Sequence, residues 1–455
     1  MEKVATAQRD MITSGPIAKT VITLALPVVL NMFMEFALTT TDYYWVGKLG
    51  PIAQDAVTSS MVVIWTIFVL ISVVTIGVTA YVSRNVGAND FEKAGFYAKQ
   101  GLGFSLVISI SLAIVGYFIT PTLLVFMETS ANTTIFATQY LRISFLAGIF
   151  FFWNDTLYST FRASGDTRTP MLVGISTILI NLVLDPLLIF GIGPFPELGV
   201  AGAAVATAIS VFVGTIFITS FYLKGKLGYK IINPLKIMPR LEEMLKIGKI
   251  GLPMSTQQLV FIMVYWFLIK YVHQFGVTAA AAMGIGNRME SFSYLTCFGF
   301  SVAASTMVGQ NLGAKKPDRA EKCAWGSIGM GVLFTLIPTI VFILFPKELA
   351  SVFSDDPLVI KIASNYLFIL GISQFAMAIE IVLEGAFSGA GNTIPPMVVF
   401  IPGSLLRIPL AYYLAFNLEW GINGIWWTLT ITTLIKSSIL ALWFKKGNWK
   451  KKELG

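Results

Sequence analysis

Val82-Ser-Arg-Asn-Val-Gly-Ala88 returns as Val308-Gly-Gln-Asn-Leu-Gly-Ala314 in the second half of the chain. Just beyond it, Ala94 and Ala98 match Ala320 and Ala324. Phe161-Arg-Ala-Ser-Gly-Asp-Thr-Arg-Thr-Pro-Met171 matches Phe387-Ser-Gly-Ala-Gly-Asn-Thr-Ile-Pro-Pro-Met397 at the same spacing, as do Pro27 with Pro253 and Gly50 with Gly276. Gly199-Val-Ala-Gly202 matches Gly421-Ile-Asn-Gly424 at a slightly shorter one. A register held over about 145 residues marks duplication of one structural unit.

The material duplicated belongs in a bilayer. Of 455 residues, 55% are hydrophobic and 12% charged, against about a quarter charged in a soluble domain. One aqueous core could not hide that much apolar surface. Stretches 62–77, 104–119 and 333–345 are apolar all round, and twelve spans follow at about 18–46, 55–82, 95–119, 133–161, 169–192, 199–223, 247–273, 279–308, 322–345, 358–387, 394–417 and 422–444. The expected fold is therefore an all-α integral membrane protein, with twelve transmembrane helices in two pseudo-symmetric six-helix lobes. These are residues 1–223 and 247–455, joined by a basic cytoplasmic linker at 224–246. Within that linker Leu241, Met244, Leu245 and Ile247 stand among Lys and Arg, which suits a short helix on the inner leaflet. Six spans per copy make the repeat parallel, about an axis along the membrane normal, and two such lobes can rock about a shared cleft.

Charge sets the orientation. Arg84, Lys93, Lys224, Lys226, Lys230, Lys236, Arg240, Lys246, Lys315, Lys316, Arg319 and the lysines of the C-terminal tail all lie in even-numbered gaps or tails, and Lys99 stands at the inner edge of the third span. By the positive-inside rule both termini are cytoplasmic in a plasma-membrane protein. The net charge of +8 then answers to anionic lipid, and nucleic acid is excluded as a partner. The first twenty residues are polar, with Lys3, Arg9 and Lys19, unlike a cleaved secretory signal. Cys297, Cys323 and the single His273 build neither a disulfide framework nor a metal site, so no cofactor is expected.

Ionisable groups inside a span cost roughly 2.5–3.5 kcal/mol and are functional candidates by default. Glu35, Thr39 and Asp42 share one face of the first span; Asn181 and Asp185 share a face of the fifth. Two carboxylates near one another out of water must share a proton or hold a cation, so Asp42, Asn181, Asp185 and Glu35 compose a proton or sodium site. Pro27 gives the first span a place to bend. For a substrate cleft the candidates are Tyr140, Asn154, Asp155, Arg288, Glu290 and Glu380, with Arg288 also placed to neutralise a glutamate. Aromatic and methionine side chains at the cleft would bind flat apolar cations.

Thr41-Asp-Tyr-Tyr-Trp-Val-Gly47, Gly165-Asp-Thr-Arg-Thr-Pro170, Asn181-Leu-Val-Leu-Asp-Pro186, Gly199-Val-Ala-Gly-Ala-Ala204 and Ile285-Gly-Asn-Arg-Met-Glu290 carry a resemblance. Together with the duplication, they resemble the multidrug and toxic compound extrusion family over essentially the whole chain. The resemblance implies no enzyme but a secondary antiporter, monomeric, exporting cationic or apolar drugs and toxins against inward H+ or Na+. Acids at Asp42 and Asp185, with none in Met254-Ser-Thr-Gln-Gln258 of the seventh span, are similar to the DinF-type branch. In that branch the Asp42, Asn181 and Asp185 positions hold the cation, Pro27 bends the first helix, and a sixth-span threonine completes the site. Thr207 is the nearest residue for that threonine, with Ala203 at the competing register. A lipid-linked saccharide flippase of the same superfamily is the alternative; it would be expected to carry more cleft arginine than Arg288 and Arg407.

Overall fold

A computed structural model describes residues 2–127, 129–229 and 238–454. The described residues are almost wholly helical. In chain order the helices are α1 (Glu2–Ser14), α2 (Ile17–Gly47), α3 (Pro51–Gly87), α4 (Phe91–Phe126), α5 (Ala131–Ala163), α6 (Arg168–Phe190), α7 (Val200–Leu223), α8 (Leu241–His273), α9 (Val277–Gly313) and α10 (Pro317–Leu344). They continue with α11 (Pro346–Ser351), α12 (Pro357–Gly371), α13 (Gln374–Gly389), α14 (Ile394–Leu405), α15 (Arg407–Tyr412), a π turn Tyr413–Asn417 and α16 (Ile422–Lys445). Among the described residues eleven helical stretches are long and apolar enough to cross a membrane, and α12 with α13 make a twelfth as a bent pair. This is the expected all-α membrane fold of two pseudo-symmetric halves.

The repeat is written into the backbone. α3 and α9 both start and end at the spacing that separates Val82 from Val308, and α4 and α10 start at it. Gly50 and Gly276 precede α3 and α9 with φ of 104° and 93°. That is a left-handed region in which a side chain strains the chain, so both copies use glycine there. After the slip to the shorter spacing, which separates Gly199 from Gly421, α7 and α16 again start and end in register.

Contacts divide the chain into two units, one of Met1–Asp10 with Leu30–Gly251, the other of Met11–Val29 with Leu252–Gly455. The first helix of each repeat is therefore shared out. Residues 17–29 of α2 pack with the second unit and residues 30–47 with the first; α8 changes allegiance after Gly251. Pro27 and Pro253 stand within two residues of these crossings, where a proline has already removed one helical hydrogen bond. Glycines make the close approaches. In the first unit a Cβ on Gly251 would strike the Val73 carbonyl, and one on Gly77 the Ile247 carbonyl. Gly299 in the second unit meets Ala25 and Val29 of α2 in the matching way. Gly251→Val should thus lower stability by about 1–3 kcal/mol, the usual cost of overpacking, seen as a depressed thermal midpoint in detergent. An unchanged midpoint would mean that α8 has room to shift off α3.

Nothing in the hydropathy pattern announces α1. Its C-terminal carbonyls, which no helical donor can reach, are taken up within the second unit. Lys316 Nζ donates to Thr13 O at 3.0 Å, Asn311 Nδ2 to Ile12 O at 3.3 Å, and Arg319 to Gly15 O. Basic groups are also the sign that a helix C-terminus favours. At the other end of the chain Lys450 binds Glu321 and Asp318 at 2.7 and 3.1 Å, which hold its ammonium above the ordinary lysine range. That one tail lysine therefore serves an intramolecular contact as well as the charge bias.

Two expectations need correction. The tenth span, read as continuous over 358–387, bends by 55° between Gly371 and Gln374, whereas its repeat mate α5 runs unbroken. Thr430 Oγ1 caps the freed Ile369 carbonyl at 2.9 Å, and Ser373 Oγ and Gln374 Nε2 reach Leu370 O at 3.2 and 3.3 Å. Polar side chains thus replace the helical partners, as membrane burial requires. Thr430→Val should cost about 1–3 kcal/mol by orphaning that carbonyl, measurable as a fall in thermal midpoint; Thr430→Ser should restore it. The second correction concerns the linker. Leu241, Met244, Leu245 and Ile247 form the first turns of the long helix α8, not a separate surface helix; residues 230–237 of the linker lie outside the described residues.

Candidate functional site

In the first unit α6 and α7 are drawn together by small residues. A Cβ on Gly202 would meet the Leu188 carbonyl, and Ala203, Ala204 and Ala206 are all buried. One and two turns before that contact, Asp185 and Asn181 point inward, 0% and 1% exposed. Asn181 Nδ2 donates to Asp185 Oδ1 at 3.1 Å and to Thr207 Oγ1 of α7 at 3.3 Å. Asp42 of α2 brings its carboxyl within hydrogen-bonding reach of Asp185. Three acceptor oxygens, Asp42 Oδ1, Asn181 Oδ1 and Asp185 Oδ2, are buried here without a hydrogen-bond donor. Buried acceptors without donors are costly, and a cluster of hard oxygen atoms is what a proton or an alkali cation relieves.

Four of the five expected cation-site residues therefore meet: Asp42, Asn181, Asp185 and Thr207. Thr207, not Ala203, is the α7 residue that reaches in; Ala203 packs in the apolar cluster with Val46, Ile189 and Val200. Tyr140 of α5, assigned to the substrate cleft by sequence, stands beside this cluster in the electrostatic range of both aspartates.

Glu35 is brought elsewhere. It precedes Asp42 by two turns, about 10 Å along a helix, and accepts a hydrogen bond from Asn31 Nδ2 at 2.7 Å. Its charged neighbours are Arg162 and Asp155, with Tyr158 near. Glu35 and Asp155 thus both lie in the field of one guanidinium, a grouping that residue spacing on separate helices could not reveal. Asn154 turns away from any cleft: its Nδ2 donates to Val211 O of α7 at 3.1 Å.

The second unit holds a buried charge network. Lys436 of α16 binds Glu380 of α13 at 2.6 Å, with exposures of 3% and 6%. Arg407, at the start of α15, donates to Thr432 and Thr433 at 2.9 and 3.1 Å and lies in the field of Glu290. Tyr366 Oη donates to Asn287 Oδ1 at 2.8 Å, and Asn287 in turn donates to Tyr265. Glu384, one turn beyond Glu380, accepts from Gln257 Nε2 of α8 at 2.5 Å. Glu290 and Glu380 are thus engaged with cations. Arg288, expected to neutralise a glutamate, forms no ion pair among the described residues and its side chain is exposed. The missed members, Gln257, Tyr366 and Asn287, are uncharged and have no acid four residues away on the same helix, the signal that picked out Asn181 beside Asp185.

Relatives agree with this architecture. Over 96% of this chain and 94% of the relative, the sequence is 28% identical to "Probable multidrug resistance protein NorM" of Thermotoga maritima. It is 27% identical to the "FAD transporter" of Shewanella oneidensis, over 94% of each. Among solved structures, a MATE protein crystallised in complex with MaD3S superposes with a TM-score of 0.90 at 23% identity, covering 97% of this chain and 99% of that one. A MOP superfamily transporter from Pyrococcus furiosus gives 0.89 at 23% identity, over 97% and 98%. The family match falls on residues 27–187 and again on 253–413, two stretches of equal length set apart by the spacing of the repeat itself. With most of the chain matched in both repeats, the protein belongs to the MatE family: it is a multi-pass membrane protein and a secondary transporter of small molecules, not an enzyme.

Proposed function

We propose that this transporter is an antiporter of the DinF-type branch, exporting cationic or apolar small molecules in exchange for inward H+ or Na+. The observation that carries the reading is the convergence of Asp42, Asn181, Asp185 and Thr207, with three buried acceptor oxygens left without donors. An inward cation gains about 2.3 kcal/mol per 100 mV of membrane potential, and neutralising the two aspartates is how that energy enters the protein. The site draws on α2, the helix that carries Pro27 at its crossing between units. Cation binding at Asp42 biases the bend at Pro27, and the bend releases substrate outward.

The basic gaps favour a plasma-membrane protein with both termini cytoplasmic and repeats at 1–223 and 247–455. Glu35, Asp155 and Tyr140 remain the first-unit candidates for substrate contact, and Arg288, Glu290 and Glu380 those of the second. Arg407 being tied to Thr432, Thr433 and Glu290 speaks against the flippase alternative, which needs arginines free for phosphate.

The test is substrate movement in proteoliposomes with a pH gradient or a sodium gradient imposed separately. Accumulation driven by one of the two is expected. Transport indifferent to both would sink the antiporter reading.

A further inference from the structure

The last span, α16, ends on a feature that the mechanism above does not use. Ile435, Ile439, Leu442 and Lys446 recur along it at i, i+4, i+7 and i+11, and so share one face. The first three are exposed apolar side chains, Leu442 at 64%, and the face turns basic where the helix stops. There Ile439, Leu442, Trp443, Lys445 and Lys446 line an open hollow of about 500 Å³, the size of a small-molecule site. Lys445 and Lys446 are exposed and form no ion pair among the described residues. We propose that this hollow binds one phospholipid with an anionic headgroup. Its phosphate lies on Lys445 and Lys446, and an acyl chain runs along Leu442, Ile439 and Ile435.

A soluble anion would use the lysines and leave the apolar stripe unserved. A lipid satisfies both: its chains cover the stripe, while lysine stems run along apolar surface and carry their ammonium groups to the headgroup. The Trp443 indole between them stands where tryptophan is favoured, at the level joining chains to headgroups. The surroundings also keep negative charge away. α10 carries Asp318 and Glu321 towards this end of the chain, and Lys450 binds both, at 3.1 and 2.7 Å. The carbonyls that end a helix carry partial negative charge and repel a phosphate, but here they are occupied. Lys446 N donates to Leu442 O and Trp443 O at 3.3 and 3.2 Å, and Gly447 N and Trp449 Nε1 donate to Phe444 O at 3.1 and 2.8 Å. The corner is pinned as well. Gly447 turns the chain back at a φ of 76°, and Trp449, 1% exposed, stacks on Phe444 at 4.4 Å. Lys445 and Lys446 therefore stand on a fixed corner and not on a free tail, which lowers the ordering cost of binding.

The test is native mass spectrometry on the full-length protein in detergent, titrated with phosphatidylglycerol and, separately, with phosphatidylcholine of the same chains. One phosphatidylglycerol is expected to stay bound under conditions that strip phosphatidylcholine. Lys445→Gln/Lys446→Gln should weaken it about 25-fold, from roughly fivefold per lysine beside an anionic headgroup. Lys445→Arg/Lys446→Arg should restore it. Lys315→Gln/Lys322→Gln, which removes two exposed lysines elsewhere in the same unit, should leave it unchanged. An equal loss in that control would reduce the effect to net charge and overturn the proposal, as would phosphatidylcholine binding equally well. Displacement of the lipid by glycerol phosphate, which has the charge without the chains, would mark a site for soluble phosphate and overturn it too. Should the glutamine pair not fold, Leu442→Ser keeps both lysines and breaks the stripe; phosphatidylglycerol bound as tightly there as in the native protein would overturn the proposal equally.

Discussion

Asp42→Asn should abolish gradient-driven export while leaving the protein folded and able to bind substrate. A charge-assisted contact at a buried carboxylate is worth about 1.5–3 kcal/mol, so cation affinity should fall roughly tenfold to a hundredfold. Net transport falls at least as far, because an antiporter that cannot load its cation does not cycle. The substitution is nearly isosteric, and Asp42 Oδ1 has no hydrogen-bond donor to lose. What changes is charge: the Asn181–Asp185–Thr207 cluster keeps its own hydrogen bonds at 3.1 and 3.3 Å but now carries one carboxylate in place of two. Substrate binding measured without a gradient, beside uptake measured with one, separates the roles. Wild-type uptake by the Asp42→Asn protein in both gradients would remove this cluster from the mechanism.

That prediction rests on a site whose parts were readable and whose assembly was only partly so. Asp42, Asn181 and Asp185 stand out because a charge or amide in an apolar span demands a reason, and helical spacing fixes which of them share a face. Glu35 satisfied the same two rules and still belongs elsewhere. Periodicity gives direction around one helix, but not which neighbouring helix supplies the partner, and Arg162 and Asp155 come from α5. Spans and repeat were legible because hydrophobic length and internal matching are local. The 55° break between α12 and α13 was not, since hydropathy is blind to a bend whose freed carbonyls are capped by side chains from another helix. Nor could spacing show that α2 and α8 each change units at a proline-flanked crossing.

Lys436→Met should be among the most destabilising single substitutions in the second unit. The ammonium is 3% exposed, 2.6 Å from Glu380 Oε1 and 4.0 Å above the Phe400 ring, while its aliphatic stem lies against Gly403. Methionine keeps the stem and removes the charge, so lost packing contributes little. Breaking a buried ion pair from one side costs about 3–5 kcal/mol, because the partner is left charged with nothing to oppose it. Replacing both partners removes that penalty, and the Glu380→Gln/Lys436→Met protein should regain most of the lost thermal midpoint. The first unit already shows such a neutral arrangement. Applying the repeat, Glu380 corresponds to Asn154 and Lys436 to Gly214, and there Asn154 simply donates to Val211 O at 3.1 Å beside the glycine. The helix packing therefore tolerates an uncharged pair, and the ion pair of the second copy is an addition to a fold that does not need it. A double variant as unstable as Lys436→Met alone would show instead that Glu380 is held by the wider network of Arg407 and Glu384, so that its charge cannot be withdrawn singly.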